Sequence, residues 1–103
     1  MNYDPTDLVA QAEVKLAEET RRRAARETEA DDYRWLMNAP QGRRLMWHWL
    51  GVGGLYRSPF NASGSVQSFN LGMHNFALML NAAVVEHCPE KWLVMQQEAK
   101  PTS

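Results

Sequence analysis

The N-terminal third of the chain contains a long run in which nothing interrupts a helix. Between Thr6 and Ala30 there is neither glycine nor proline, and the run is dominated by alanine, glutamate, glutamine, leucine, lysine and arginine. These residues are strong helix formers, and the preceding Asp4-Pro5-Thr6-Asp7 segment is typical of a helix start. The run therefore predicts one long N-terminal helix, which favours an all-α fold.

This predicted helix has an apolar face only in its first half. Residues 17–32 carry no large apolar side chain, and the apolar stripe at helical spacing before them consists of Leu8, Val9, Ala12 and Leu16. A helix without an apolar face cannot be held in place by packing. We therefore predict that residues 1–30 form a partly solvated, charged helical arm that becomes ordered when a partner docks on it.

Four shorter helices are predicted after the arm, and no strand pattern of alternating apolar residues occurs. Asp31-Asp32 resembles a helix cap, Pro40 separates two short helices, and Pro89 begins the last one. The helices are expected at residues 32–38, 40–50, 66–87 and 89–98. The sequence thus predicts an arm at residues 1–30, a small compact helical domain at 31–98, and a loose tail at 99–103.

Two groups of apolar side chains are expected to form the core of the compact domain. The first contains Trp35, Leu36, Leu45, Met46 and Trp49. The second follows the three-four spacing of the predicted central helix and contains Phe69, Met73, Phe76, Met79, Leu80, Ala83 and Val84. Trp47 and His48, with Arg43 and Arg44, are expected to remain on the surface.

Charge is unevenly distributed along a chain that is nearly neutral overall. Residues 1–32 hold nine acids and five bases, whereas residues 33–103 hold six bases and three acids. Dedicated nucleic-acid binders are usually basic overall, so this balance favours a protein that meets partners through electrically distinct surfaces. Cys88 is the single cysteine, which allows no disulfide within the chain and favours a reducing compartment.

The sequence predicts no enzymatic activity, cofactor or metal. His87 and Cys88 are neighbours on a helix and point about 100° apart, so they face each other poorly as a nucleophile and base. His48, His74 and His87 do not share the spacing of a metal site, and helix capping accounts for Asp31 and Asp32. We also expect no membrane span and no signal peptide.

The glycine-rich and serine-rich loop at residues 51–65 is long for so small a domain, and long ordered loops are often functional. We expect the arm and this loop to contact partner proteins. The candidate contact residues are Arg21, Arg22, Arg23, Arg26, Arg43, Arg44, Trp47, Tyr56, Arg57 and Phe60. The alternative is a small DNA-binding protein that uses Arg34, Arg43, Arg44 and Arg57 beside aromatic side chains.

The stretch from Asp31 onward resembles a known family. Its elements here are DDYRWLMNAPQGRRLMWHWL, the loop segment GLYRSPF, and LGMHNFALMLNAAVVEHCPEKWLVMQQEA. Together they cover about residues 31–98 and are similar to a small structural domain of tailed bacteriophages, typified by a Bordetella phage virion protein. Where relatives often carry arginine, this chain has His74.

The resemblance implies a non-enzymatic structural protein of a tailed-phage virion. Such a protein is made in the host cytoplasm, is present in several copies, and docks on other virion proteins of the capsid, portal or neck, tail, or ejected interior. The absence of a catalytic constellation and the charged second half of the helical arm, which has no apolar face, agree with this expectation.

Overall fold

A computed structural model describes residues 4–100, and within that range the chain is all-α with no strand. Four helices follow one another: α1 (Pro5–Asn38), α2 (Pro40–Val52), α3 (Gly64–His87) and α4 (Pro89–Ala99). The all-α class and the long N-terminal helix followed by shorter ones are confirmed. Of the predicted loose tail at residues 99–103, Ala99 is the last residue of α4, and residues 101–103 lie outside the described residues.

The helix break predicted at Asp31-Asp32 does not exist, because α1 continues through both aspartates to Asn38. An aspartate is a poor helix former but is tolerated inside a helix, and no glycine or proline occurs there to stop it. Pro40 is the real boundary, because it disfavours the helical conformation at Ala39, whose ψ of 144° is extended. One long helix therefore replaces the two that were predicted.

The chain divides into two units, Met1–Asp31 and Asp32–Ser103. In the described part of the first unit, every side chain except Glu18 and Ala30 is exposed. The predicted arm at residues 1–30 and the first unit thus end one residue apart. The second unit contains the last turns of α1 and the other three helices.

The core of the second unit is small and rich in methionine. Each of its four helical segments contributes to it, and α2, α3 and α4 pack against one another pairwise. The buried residues are Met37, Met46, Leu50, Ala77, Val84, Cys88 and Met95. Half-buried Tyr33, Leu36, Trp47, Leu55, Leu80 and Trp92 pack around them.

Much of the predicted core lies on the surface. Met46 and Val84 are buried as expected, but Trp35 is 79% exposed and Phe69 is 67% exposed. The other predicted core residues that are exposed are Leu45, Trp49, Phe76 and Met79. Helical spacing identifies apolar stripes, but it does not say which stripe a neighbouring helix covers when one helix carries several. Trp47 was also assigned wrongly, since it packs against the core.

Candidate protein-docking surfaces

The Gly-Arg-Arg step at the start of α2 divides into three structural roles. A Cβ atom on Gly42 would overlap the carbonyl oxygen of Leu36, so only glycine allows the end of α1 to approach α2 this closely. Arg43 is buried, with 8% of its surface exposed. Arg44 is exposed.

Arg43 is therefore not a surface contact residue, which corrects the prediction. Its guanidinium forms an ion pair with Glu98 on α4, and Nη1 donates a hydrogen bond of 2.9 Å to the carbonyl oxygen of Met37. That carbonyl belongs to the last turn of α1, where backbone acceptors lack helical partners. The side chain thus joins three helices, and its bond holds the pKa of the Glu98 carboxyl below its usual value.

The segment between α2 and α3, residues 53–63, is tied to the helices on both sides. Arg57 Nη2 donates to the carbonyl oxygen of Gly51 at 2.7 Å, and His74 Nδ1 contacts that of Gly54 at 2.9 Å. Asn70 Nδ2 donates more weakly to the carbonyl oxygen of Pro59 at 3.4 Å. Gly54 has a φ of 73°, a conformation that favours glycine and turns the chain away from α2.

Tyr56 lies against α2 and α4. Its ring centre is 5.7 Å from that of Trp47, and its hydroxyl accepts a hydrogen bond of 3.0 Å from Gln96 Nε2. The residue nevertheless remains 63% exposed. The structure thus brings together two of the predicted contact residues in the second unit, Trp47 and Tyr56. Of this pair, Tyr56 is exposed and Trp47 is half-buried.

Phe60 is the most exposed large apolar residue in the described part of the chain, at 81%. It lies in the loop at residues 53–63, and its backbone N–H donates to the hydroxyl of Ser58 at 3.3 Å. Arg57 of this loop, with Phe69 and His74 of α3, helps to line a small cavity of about 140 Å³. The loop therefore combines a backbone held by hydrogen bonds with a highly exposed aromatic side chain, Phe60.

The arginine run of the first unit is exposed as predicted for Arg21, Arg22, Arg23 and Arg26. Arg22 has an ion-pair contact with Glu18 at 3.9 Å, one helical turn away. Such exposed pairs stabilise a helix by only a few tenths of a kcal/mol. Breaking the pair so that Arg22 can bind a partner protein would therefore cost the helix little stability.

The side chains that could act as a nucleophile, bind phosphate or hold a metal ion are not arranged for those roles in the described part of the chain. Burial raises the pKa of the Cys88 thiol, which disfavours a reactive thiolate. Arg34 Nε donates to the carbonyl oxygen of His87 at 3.2 Å. Within residues 4–100, His, Cys, Asp and Glu side chains form no group of three that could hold a metal ion, and no helix combines the length and apolarity needed to cross a bilayer.

Sequence reasoning missed an apolar surface on α3 and α2. The predicted core residues Phe69, Phe76 and Met79 are exposed there. An adjoining groove of about 210 Å³, here called the Trp49 groove, is lined by Asp32, Tyr33, Leu36, Met46, Trp49 and Leu80. One signal could have revealed the surface: α3 is apolar on nearly every side, so a domain of four helices cannot cover all of it.

No protein-family model, curated protein or solved structure matches this chain.

Proposed function

We propose that this chain is a non-enzymatic structural component of a tailed-phage virion that docks on other virion proteins through its N-terminal helix and the 51–65 loop. The resemblance of residues 31–98 to a small phage structural domain gives the proposal its direction. The observation that carries the docking role is Phe60, which is 81% exposed on a loop held by hydrogen bonds to its neighbours.

The tied loop suits docking because its conformation is fixed before a partner arrives. An exposed aromatic side chain on a preorganised backbone loses little conformational freedom on binding, and such residues often dominate interface energies. Tyr56, held by Trp47 and Gln96, adds a second aromatic side chain whose orientation is already set.

The first unit suits docking for a different reason. Its helix exposes apolar side chains at Leu8, Val9 and Leu16, followed by the exposed arginine run at residues 21–26. Within the described part of this unit, nothing covers the apolar positions. A partner with a shallow apolar groove and an acidic rim would match both parts of the helix.

The DNA-binding alternative is weakened by how its four arginines are used. Arg43 is buried and paired with Glu98, while Arg34 and Arg57 both donate to backbone carbonyl groups. Arg44 is the one of the four that is exposed without such a structural role. Binding to the DNA backbone requires several exposed Lys or Arg side chains, because each phosphate that is neutralised releases counterions and adds to the affinity. One exposed arginine without a structural role is therefore too few.

The proposal is tested on purified virions of the phage that encodes the chain. Quantitative mass spectrometry should detect the chain in multiple copies per particle, and washing with high salt should not remove it. Repeated failure to detect it in intact particles would overturn the virion assignment.

The loop is tested by incorporation of variants into particles. Phe60→Asp should reduce incorporation strongly, because it places a charge where an apolar side chain is expected to be buried. Ala62→Asp is the matched control, since Ala62 is an exposed residue of the same loop and the change adds the same charge two positions away. Equal incorporation of both variants would remove the loop from the docking surface.

A mobility-shift assay distinguishes the DNA-binding alternative from the structural role. We expect no salt-dependent binding of duplex DNA by the full chain. Binding that weakens steeply with salt and is lost in Arg44→Ala would instead support the DNA-binding role.

A further inference from the structure

The outward side of α3 carries an apolar row that the chain itself does not cover within residues 4–100. Phe69, Phe76 and Met79 are 67%, 55% and 58% exposed. Together with Gly72 and Ala83 they recur at alternating intervals of three and four residues, the spacing of a helix–helix seam. We call these five residues the α3 seam.

The α3 seam leaves a large apolar surface uncovered for so small a domain. A phenylalanine side chain that is more than half exposed leaves on the order of 100 Å² uncovered. Phe69, Phe76 and Met79, each more than half exposed, thus leave a few hundred Å² of apolar surface uncovered on α3. Exposed apolar patches of several hundred Å² often mark interaction sites, and a standard interface buries roughly 800 Å² on each partner.

Gly72 is the residue that the fold of one chain does not explain. A Cβ atom there would meet nothing within 4 Å. Glycine inside a helix is less favourable than alanine by about 1 kcal/mol. The residue therefore weakens α3 with no packing benefit among the described residues, but on a seam it would let a second helix approach closely.

The charge pattern of α3 permits a second copy of the same helix as the occupant. Within α3, Glu86 is the only Asp, Glu, Lys or Arg residue, so two α3 helices can meet without placing like charges along the seam. The row also contains two small residues, Gly72 and Ala83, among the larger Phe69, Phe76 and Met79. A two-fold contact can set large residues of one copy against small residues of the other.

We propose that the α3 seam is a homodimer interface, in which α3 of one copy packs against α3 of a second copy about a two-fold axis near Phe76. The Trp49 groove then lies beside the contact. This dimer does not rest on the proposed virion role, because it concerns a different surface and is measurable on the purified chain.

The first test is sedimentation of the full chain over a range of concentrations. We expect a monomer–dimer equilibrium, and we expect Phe76→Lys to raise the dissociation constant by about 30-fold or more. Leu78→Lys is the matched control, since Leu78 is 46% exposed on the opposite flank of the same helix. It should leave the dissociation constant within about threefold of the parent value.

Thermal melts at low concentration check that both lysine variants fold. A chain that stays monomeric at all concentrations overturns the proposal. So does a dimer that survives Phe76→Lys, or one that Leu78→Lys disrupts equally, because either result places the contact elsewhere.

A second variant avoids any loss of folding. Gly72→Ala should raise the melting temperature of the dilute monomer, because alanine favours the helix. It should also raise the dimer dissociation constant about tenfold or more, because the added methyl group separates the two helices. Gly51→Ala is the control, since Gly51 also has open space around its Cβ position but lies on α2. Tighter dimerisation of Gly72→Ala would contradict the close approach.

Discussion

Residues 5–31 and residues 32–99 are both mainly helical, yet different interactions hold them. In the first region almost every described side chain is exposed, and the helix depends on the intrinsic preference of its alanines, glutamates and arginines. In the second, short helices meet around buried Met37, Leu50 and Met95. A single continuous helix, α1, belongs to both regions and changes from one mode to the other near Asp31.

The difference shows that helix formation and tertiary stability have separate sources in this chain. An exposed charged helix can exist without contributing to a core, because its backbone hydrogen bonds are internal. The compact region has few fully buried side chains, so each one should matter more than in a larger domain. Substitutions in the two regions should therefore differ sharply in effect.

The largest expected effect is at Leu50, which is fully buried in the middle of the core. Leu50→Ala should reduce the free energy of unfolding by about 3–5 kcal/mol, because it removes buried methyl groups and leaves a cavity. Trp35→Ala is the contrasting change, since Trp35 belongs to the same region but is 79% exposed. It should change stability by less than about 1 kcal/mol.

Urea denaturation monitored by circular dichroism measures both variants. If Trp35→Ala were as damaging as Leu50→Ala, the surface position of Trp35 would be wrong and the predicted core would have been correct there.

The next largest effect is expected at Arg43. Arg43→Met keeps an apolar stem but leaves the Met37 carbonyl group and Glu98 without their guanidinium partner. We expect a loss of about 2 kcal/mol, typical of a buried hydrogen bond to a charged group. Arg44→Met makes the same change at the exposed neighbouring position and should alter stability by less than about 0.5 kcal/mol.

Denaturation midpoints of the two methionine variants give the comparison directly. Similar losses at both positions would mean that Arg43 contributes through general charge and not through its bonds to α1 and α4.

The sequence could predict the helices because strong local signals set their ends. Pro40 and Pro89 begin helices where the prediction placed them, and the Gly-rich segment after Val52 ends α2. The merged helix at Asp31 was missed because capping residues favour a helix start without requiring one. Tertiary context decides whether such a residue caps a helix or lies within it.

The surface was harder to predict, because apolarity alone does not distinguish a core from an interface. Phe76 and Val84 look alike in the sequence, yet α3 buries Val84 and exposes Phe76. Arg43 and Arg44 are adjacent and identical, and contacts with Glu98, 55 residues away, and with the Met37 carbonyl group make only Arg43 structural. Contacts between residues that are distant in sequence decide which side chains become buried, and helical periodicity does not predict those contacts.

A smaller effect is expected from acid. Because Arg43 lowers the pKa of Glu98 in the folded chain, the ionised carboxylate stabilises the fold above its unfolded pKa, near 4.5. This stabilisation should be lost as the pH falls from about 4.5 through the lower folded pKa. Glu98→Gln should therefore show a shallower loss of stability between neutral pH and about pH 3 than the parent chain, as measured by urea denaturation at each pH.

Asp4 offers a control in the other region. Hydrogen bonds from Thr6 lower the pKa of the Asp4 carboxyl at the start of α1. Asp4→Asn should reduce the acid sensitivity of helical signal in the arm, but it should leave the acid sensitivity of the core transition unchanged. A change in the core transition would show that the two regions unfold together.

The smallest effect on stability is expected from removing most of the first region. Among the described residues, deletion of residues 1–28 removes exposed side chains and half-buried Glu18, and it retains buried Ala30 and the last turns of α1. The melting temperature should shift by less than about 2 °C, while helical circular dichroism falls in proportion to the residues removed. Deletion of residues 1–36 is the informative extension, because it also removes Tyr33 and Leu36, which pack against the core. If the core begins near Tyr33, the chain that lacks residues 1–28 should keep a cooperative unfolding transition, and the chain that lacks residues 1–36 should show a much weaker one. If helix continuity alone stabilised the chain, the two deletions would differ little.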